Sequence, residues 1–330
     1  MKIITLLVLF ISATVFAQND MKARIEYEDA ETAFTTGDYE KAVAHLRDAE
    51  KLLGKWTPKV SYLLILSLDK TIDYENADAR KLLDDEVKKY MQFAAEAKDL
   101  DEDKFREINT IEKYVTATGK WDGDEDYELA GKFREKNEYD KAYSHYKKSA
   151  AKGNLWSVTF LGWCYEDGKG VEKNQVEAKK YYKIAAERKI TVAMNNLGTL
   201  YYETQKYPEA KYWLEKAAAK GNNQAKCALG TMYFAGLGVT KDYGKALSWY
   251  EKLDKDFTVY PFHMRVMGIL YYYKKDKPDY GQAMKYLTAA YENGDANDKT
   301  EAKYFISTMY EEGLGVEKSK KLAKEWLKKE

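Results

Sequence analysis

Residues 193–254 say nearly the same thing twice, and this doubling extends along most of the chain. Leu197-Gly198 returns as Leu229-Gly230, Tyr201 as Tyr233, Ala210 as Ala246 and Trp213 as Trp249. Taking the small residue of the first helix as reference gives Ala130, Gly162, Gly198, Gly230, Gly268 and Ser307, spaced by 32, 36, 32, 38 and 39 residues. Three residues after each comes an aromatic: Phe133, Tyr165, Tyr201, Tyr233, Tyr271 and Tyr310. A second alanine recurs at Ala142, Ala178, Ala210, Ala246, Ala283 and Ala323. Three residues beyond that alanine come His145, Tyr181, Trp213, Trp249, Tyr286 and Trp326; four beyond come Tyr146, Tyr182, Leu214, Tyr250, Leu287 and Leu327. A period of a few tens of residues is the mark of a repeat array.

The register predicts a helix pair per repeat. A glycine or alanine in the first helix lets the second approach closely, and the aromatic one turn later fills the space left. The alanine-then-bulky sequence of the second helix makes a ridge against the next repeat. One pair cannot bury both faces, so the repeats must stack. Most of the 29 tyrosines are thereby packing residues with a polar tip at the surface. Only 4 prolines and 20 glycines in 330 residues favour helix over strand.

Three repeats carry a longer turn, Gly168-Lys169-Gly170-Val171, Gly236-Leu237-Gly238-Val239 and Gly313-Leu314-Gly315-Val316, in which glycine supplies positive φ. This G-x-G-V turn, the A-x-x-x-L-G opening and the paired aromatics of the second helix resemble the Sel1-like branch of the tetratricopeptide superfamily over residues 124–330. The repeats at Ala130 and Gly198 have shorter, tetratricopeptide-style turns. The repeat at Gly268 departs most, with His263 where others have alanine and KKDKPDYG in place of the turn. The implied fold is all-α, a right-handed α-solenoid of stacked antiparallel helix pairs, with about six repeats in residues 124–330.

Upstream, residues 18–97 read as two further pairs that resemble tetratricopeptide helices. Thr36-Gly37-Asp38 joins the first pair, and Ala42, Leu46 and Ala49 line one face of its second helix. In the next pair Leu64, Leu68, Leu82, Leu83 and Val87 are expected to share a face. Residues 98–123 break the pattern and are expected to connect two sub-arrays, with one helical piece around Phe105, Ile108, Ile111 and Tyr114 and turns at Thr118-Gly119 and Asp122-Gly123. Residues 1–17 carry Lys2, an apolar run from Ile3 to Phe16 and a small-x-small site ending at Ala17. These are the marks of a cleavable signal peptide, too short to span a bilayer. The expected product begins at Gln18 and is exported, to the periplasm or beyond the cell.

Charge narrows the function classes. With 54 basic and 54 acidic residues the chain has no electrostatic case for nucleic acid. Cys164 and Cys227 lie two repeats apart, too far for a disulfide, and are expected reduced and buried. Neither has zinc-spaced partners. Asp122, Asp124 and Asp126 place Tyr127 and Phe133 where a calcium loop needs glycine and glutamate, and read instead as an acidic helix start. Asp99, Asp101 and Asp103 fail the same way. The glycine-rich turns lack a preceding strand and the lysine-hydroxyl pair of a phosphate loop. His45 and His145 occupy the second-helix position where other repeats carry Trp or Tyr, so packing is their expected role. No catalytic residue, cofactor or metal ligand emerges.

The resemblance implies a concave groove lined by the first helices, at positions three before, one after and four after the small residue. Carried onto this chain these are Thr159, Trp163 and Glu166; Asn195, Thr199 and Tyr202; Cys227, Thr231 and Phe234; Arg265, Ile269 and Tyr272; Tyr304, Thr308 and Glu311. The candidate binding residues are Trp163, Asn195, Thr199, Tyr202, Phe234, Arg265, Tyr272 and Tyr304, with Asn195 for a peptide backbone and Arg265 for a carboxylate. The expected function is a non-catalytic exported scaffold that binds a protein or peptide. Penicillin binding or weak β-lactamase activity, known among secreted relatives that carry a cysteine pair in each repeat, is the alternative from another class, and glycan binding by groove aromatics a third. Trp326 and Leu327, on a second helix with no cap after it, are expected to support weak self-association.

Overall fold

The computed structural model describes residues 2–97, 101–118, 124–275 and 277–329, with side chains from Gln18 onward. Gly119, Asp122 and Gly123 lie outside the described residues, as does Asp99. The chain divides into two bodies, residues 1–193 and 194–330. Every regular element is an α-helix among the described residues, and none is long and apolar enough to cross a membrane.

The first body holds α1 (Lys2–Thr35) with α2 (Tyr39–Leu53), α3 (Pro58–Thr71) with α4 (Ala77–Glu96), the single helix α5 (Glu102–Thr118), α6 (Glu125–Glu135) with α7 (Tyr139–Ala151), and α8 (Leu155–Asp167) with α9 (Gln175–Glu187). Helix α10 (Thr191–Glu203) begins in the first body and runs into the second. The second body continues with α11 (Tyr207–Ala219), α12 (Asn223–Ala235) with α13 (Tyr243–Tyr250), α14 (Pro261–Tyr272) with α15 (Tyr280–Asn293), and α16 (Ala296–Glu312) with α17 (Lys320–Lys328). Short polar residues start most of these helices. Asp38, Asn76, Asp124, Asn154, Asn174, Asn222, Asp242, Asp279, Asp295 and Ser319 each accept a backbone N–H of the first turn.

The register closes each helix pair on itself. The alanines at Ala142, Ala178, Ala210, Ala246, Ala283 and Ala323 are all buried. A Cβ on Gly162, Gly230 or Gly268 would lie 2.6 Å from the Tyr182 ring, the Tyr250 ring or Leu287 Cγ, and one on Gly198 would lie 2.8 Å from Leu214 Cγ. The bulky residue four after the second-helix alanine therefore sits on the glycine of its own repeat, and in two repeats it also nests against the next, Tyr146 stacking on Phe160 at 4.8 Å and Tyr250 meeting His263 at 5.9 Å. The two aromatics at the remaining register positions pair across the same helix pair. Tyr165 stacks on Tyr181 at 5.6 Å, Tyr271 on Tyr286 at 5.7 Å and Phe133 on His145 at 5.5 Å.

Backbone closes each pair in one way despite different turn lengths. The N–H of Glu138, Asn174, Lys206, Asp242, Asp279 and Ser319 donates to the carbonyl of Phe133, Tyr165, Tyr201, Tyr233, Tyr271 and Tyr310 respectively. In the long turns the first glycine ends the helix at positive φ, and the second touches the preceding pair. A Cβ on Gly170 would meet the Tyr139 carbonyl at 2.2 Å, and one on Gly238 would meet Tyr207 Cβ at 2.2 Å. Close approach to a neighbour, as well as φ, requires glycine there. The short turns reach left-handed φ without glycine, at Asn137 and Gln205.

In the first body Leu64, Leu68, Leu83 and Val87 are buried together as the spacing predicts, whereas Leu82 is 59% exposed. It lies one residue from Leu83, on the helix's other flank. Residues 102–118 form α5, which packs Ile108, Ile111 and Val115 into the core. The turn after α7 lies against α5, since a Cβ on Gly153 would fall 2.0 Å from the Lys113 carbonyl oxygen. Arg188, after α9, is buried between α3 and α5. It lies 3.4 Å from Asp69 and 4.1 Å from the centre of the Tyr114 ring.

Candidate functional site

Each candidate residue sits where the first-helix register puts it, yet burial separates them sharply. Asn195 and Arg265 are only 8% and 5% exposed. The Asn195 amide donates to Asn196 Oδ1 at 3.3 Å, and its own carbonyl oxygen has no partner among the described residues. Arg265 is committed within the chain. Its Nε donates to Asp298 Oδ1 at 2.7 Å, a second nitrogen pairs with Glu301, and the guanidinium lies 5.0 Å from the centre of the Phe262 ring. These carboxylates stand on α16, so Arg265 holds α14 to the next first helix and has no open fork for a partner's carboxylate. The expectation that it binds one is corrected by this packing.

Thr159, Cys227, Thr231 and Ile269 are buried as well. In the second body Cys227 packs with Val266 and Met267 of the next first helix, and Ile269 with Ile306 and Met309 of the one after. Thr231 accepts or donates at 3.0 Å to the Tyr250 hydroxyl, which in turn meets His263 Nδ1 at 3.1 Å. Burial drives the His263 pKa down to about 4. Cys164 and Cys227 are free and buried, and burial pushes each thiol up to about 12, so neither offers a thiolate at neutral pH.

His45 and His145 do more than pack. Each pairs through Nδ1 with a carboxylate on its own first helix, Glu26 at 2.6 Å and Asp126 at 2.9 Å. Asp126 also accepts from Lys152 at 2.6 Å, and these partners hold its carboxyl below the usual range. Asp124 caps α6, accepting from the N–H of Asp126 and Tyr127.

What remains half exposed is the position four after the small residue. In three successive repeats of the second body this residue pairs with the tyrosine that opens its own second helix. Tyr202 meets Tyr207 edge-on at 5.8 Å, Phe234 stacks on Tyr243 at 5.4 Å, and Tyr272 meets Tyr280 edge-on at 5.6 Å. The second and third doublets join into a stripe. Tyr243 lies 6.0 Å from Tyr273, Tyr273 lies 5.9 Å from Phe305, and Phe305 lies 5.7 Å from Tyr304. Tyr273 and Tyr304 are 50% and 61% exposed. Lys241 covers the Tyr243 ring at 4.8 Å. Thr199 is half-buried on the same helix as Tyr202. In the first body Trp163 is half-buried against Tyr139 at 5.9 Å and Phe160 at 6.4 Å.

Tyr207, Tyr243, Tyr273, Tyr280 and Phe305 were not among the expected site residues. A signal for Tyr207, Tyr243 and Tyr280 was present: tyrosine opens the second helix there, as at Tyr139, three residues before the repeated alanine.

Comparison with known proteins bears on the whole array. The Sel1 repeat matches residues 123–154, 158–189, 223–253, 264–295 and 300–329. A tetratricopeptide repeat matches the intervening residues 191–221, the repeat with the short turn at Gln205. Among curated proteins, the chain is 33% identical over 108 residues to the ERAD-associated E3 ubiquitin-protein ligase component HRD3B of Arabidopsis thaliana, covering 32% of this chain and 16% of that protein. It is 31% identical over 142 residues to chitin synthase regulatory factor 3 of Schizosaccharomyces pombe, covering 39% of this chain and 15% of that one. The chain thus spans about a sixth of the length of these relatives. Among solved structures, a Sel1 repeat protein from Oxalobacter formigenes is 28% identical with a TM-score of 0.48, covering 61% of this chain and 81% of that one. The protective antigen c5321 of uropathogenic Escherichia coli is 20% identical with a TM-score of 0.47, covering 94% and 78%.

Proposed function

Because the chain belongs to the Sel1-like repeat branch of the tetratricopeptide superfamily, we propose that it is a non-catalytic protein-interaction scaffold that holds its partner on the aromatic stripe of the second body. The stripe itself carries this reading. Phe234, Tyr243, Tyr273, Phe305 and Tyr304 are joined ring to ring, and two of the five are half or more exposed. Large aromatics left partly exposed on a rigid helical frame are the residue type that dominates interface energies. Their repeated pairing keeps the rings in fixed orientations, so little conformational entropy is lost when a partner lands. The buried histidine and cysteines are engaged in packing, and the reading assigns them no chemistry.

The reading places the scaffold outside the cytoplasm, in the periplasm or beyond, on the strength of Lys2, the apolar run Ile3–Phe16 and the small residue Ala17. N-terminal sequencing of the protein from its native host tests this, with Gln18 as the expected first residue. The partner surface is tested by crosslinking the native chain and a Phe234→Ala/Tyr273→Ala variant in the host, followed by mass spectrometry. Crosslinked partners are expected with the native chain and lost with the variant. Unchanged partners with a folded variant refute the stripe.

A further inference from the structure

The stripe borders a cleft in the second body that no motif in the sequence announces. It opens between α13 and the end of α14, and holds about 690 Å³. That is in the range of sites that take a small ligand or a few residues of a peptide. Leu247 and Leu270 make the floor, and Tyr243 and Tyr273 make one wall. Lys241, Lys274 and Lys275 stand around the mouth.

The charges of the cleft are not balanced. Two acids line it, Asp242 and Glu251, and both are occupied. Asp242 caps α13, accepting from the Lys245 N–H at 2.9 Å, with its other oxygen 3.8 Å from Lys245 Nζ. Glu251 lies 3.7 Å from Lys274 Nζ. Lys241 spreads over the Tyr243 ring. No carboxylate among the described residues pairs with Lys241 or Lys275. Three lysines against two carboxylates in the cleft lining make a local excess of positive charge beside apolar and aromatic surface. A field of that kind favours an anionic partner and acts mainly on the rate and selectivity of encounter.

We propose that this cleft receives an acidic peptide segment, with an aliphatic or aromatic side chain seated on Leu247 and Leu270 against Tyr273, and a neighbouring carboxylate reaching Lys241 and Lys275. The proposal rests on the scaffold reading above and specifies the chemistry of the segment held. The position lies in the crevice between one pair's second helix and the next pair's turn. Its lysines come from two turns, Lys241 before α13 and Lys274 and Lys275 after α14, so both turns must be in place for the ligand to be held.

The test is an array of short immobilised peptides spanning acidic, neutral and basic compositions, each with and without leucine or phenylalanine, probed with the full chain. Binding is expected to concentrate on acidic peptides that carry an apolar side chain and to weaken as salt is raised. Lys241→Glu/Lys275→Glu is expected to reduce that binding by about tenfold or more, because it reverses exposed charges without touching the core. Tyr212→Ala, an exposed tyrosine of α11 outside the cleft and the stripe, is expected to leave it unchanged. Binding dominated by neutral or basic peptides overturns the proposal, as does acidic binding indifferent to the lysine variant. If such binding is nevertheless lost with Phe234→Ala/Tyr273→Ala, the stripe reading stands and only the acidic specificity fails. If no peptide binds and a glycan array does, both readings fail together.

Discussion

Arg265 and Tyr304 hold the same register position in neighbouring repeats, three residues before the small residue, and their surroundings are opposite. Arg265 is 5% exposed and locked to Asp298 and Glu301 of α16; Tyr304, on α16 itself, is 61% exposed. The difference is whether a further first helix lies against the position. Where one does, the side chain becomes part of the joint between repeats, and the position is closed to a partner. Where none of the described helices does, the side chain faces solvent and joins the stripe through Phe305. Site residues carried over by register alone therefore mix two classes, and packing between repeats separates them.

The largest effect expected from this contrast is at Arg265. Arg265→Ala leaves Asp298 buried without its cation, and removing one partner of a buried pair costs about 3–5 kcal/mol. Urea unfolding reads this directly. A loss below about 1 kcal/mol breaks the claim that this position is a joint, and a role at the surface becomes open again.

His263 sharpens the same contrast by pH. Its ordinary pKa of 6.5 falls to about 4 through burial, against an opposing pull from the Asp298 charge. A histidine depressed in the folded state is neutral there while the unfolded chain takes up its proton first. Its contribution is present above pH 6.5 and is lost as pH falls from 6.5 towards 4, by up to about 3 kcal/mol. Comparing urea unfolding of the native chain and His263→Gln at pH 7 and pH 4.5 isolates it from the carboxylates that titrate in the same window. The native chain is expected to lose more stability than the variant. Equal losses mean that His263 is open to solvent.

The fold was legible because its signals are local and repeated. Small residue, aromatic and alanine recur in register six times, and six backbone closures at the aromatic's carbonyl follow from that register whether the turn is short or long. The direction of each contact was not legible. Tyr250 falls at a ridge position by periodicity and meets His263 of the next first helix, but nothing local announces that it also lies over Gly230 of its own. The candidate site was half legible. Tyr202, Phe234 and Tyr272 are partly exposed and Tyr304 is 61% exposed. Arg265 was misjudged because its partners, Asp298 and Glu301, lie 33 and 36 residues on, beyond any local pattern. Tyr243 and Tyr273 were missed because their meeting depends on how one pair's second helix falls beside the next pair's turn.

Two glycines give a smaller effect of opposite sign. Gly230→Ala places a Cβ 2.6 Å from the Tyr250 ring, and overpacking of this kind costs about 1–3 kcal/mol. Gly131→Ala meets nothing within 4 Å in a helix interior, where alanine is favoured by about 0.5–1 kcal/mol. Thermal melting should move down for the first and up for the second. Both moving down by similar amounts would mean that the glycine seam is not where the helices touch.

The smallest expected change in stability is at Tyr304, and it is the one that separates surface from joint. Tyr304→Ala removes a ring that touches Phe305 edge-on and otherwise faces solvent, so its cost should stay within about 0.5 kcal/mol, the range of ordinary surface substitutions. The same ring ends the line of aromatics that runs from Phe234, so partner capture should weaken while the melting curve hardly moves. Arg265→Ala should do the reverse, lowering stability first and capture only through it. Measuring capture at a temperature where both variants remain folded distinguishes them. If Tyr304→Ala leaves capture intact and the Arg265 variant abolishes it while still folded, the two positions have been assigned the wrong way round.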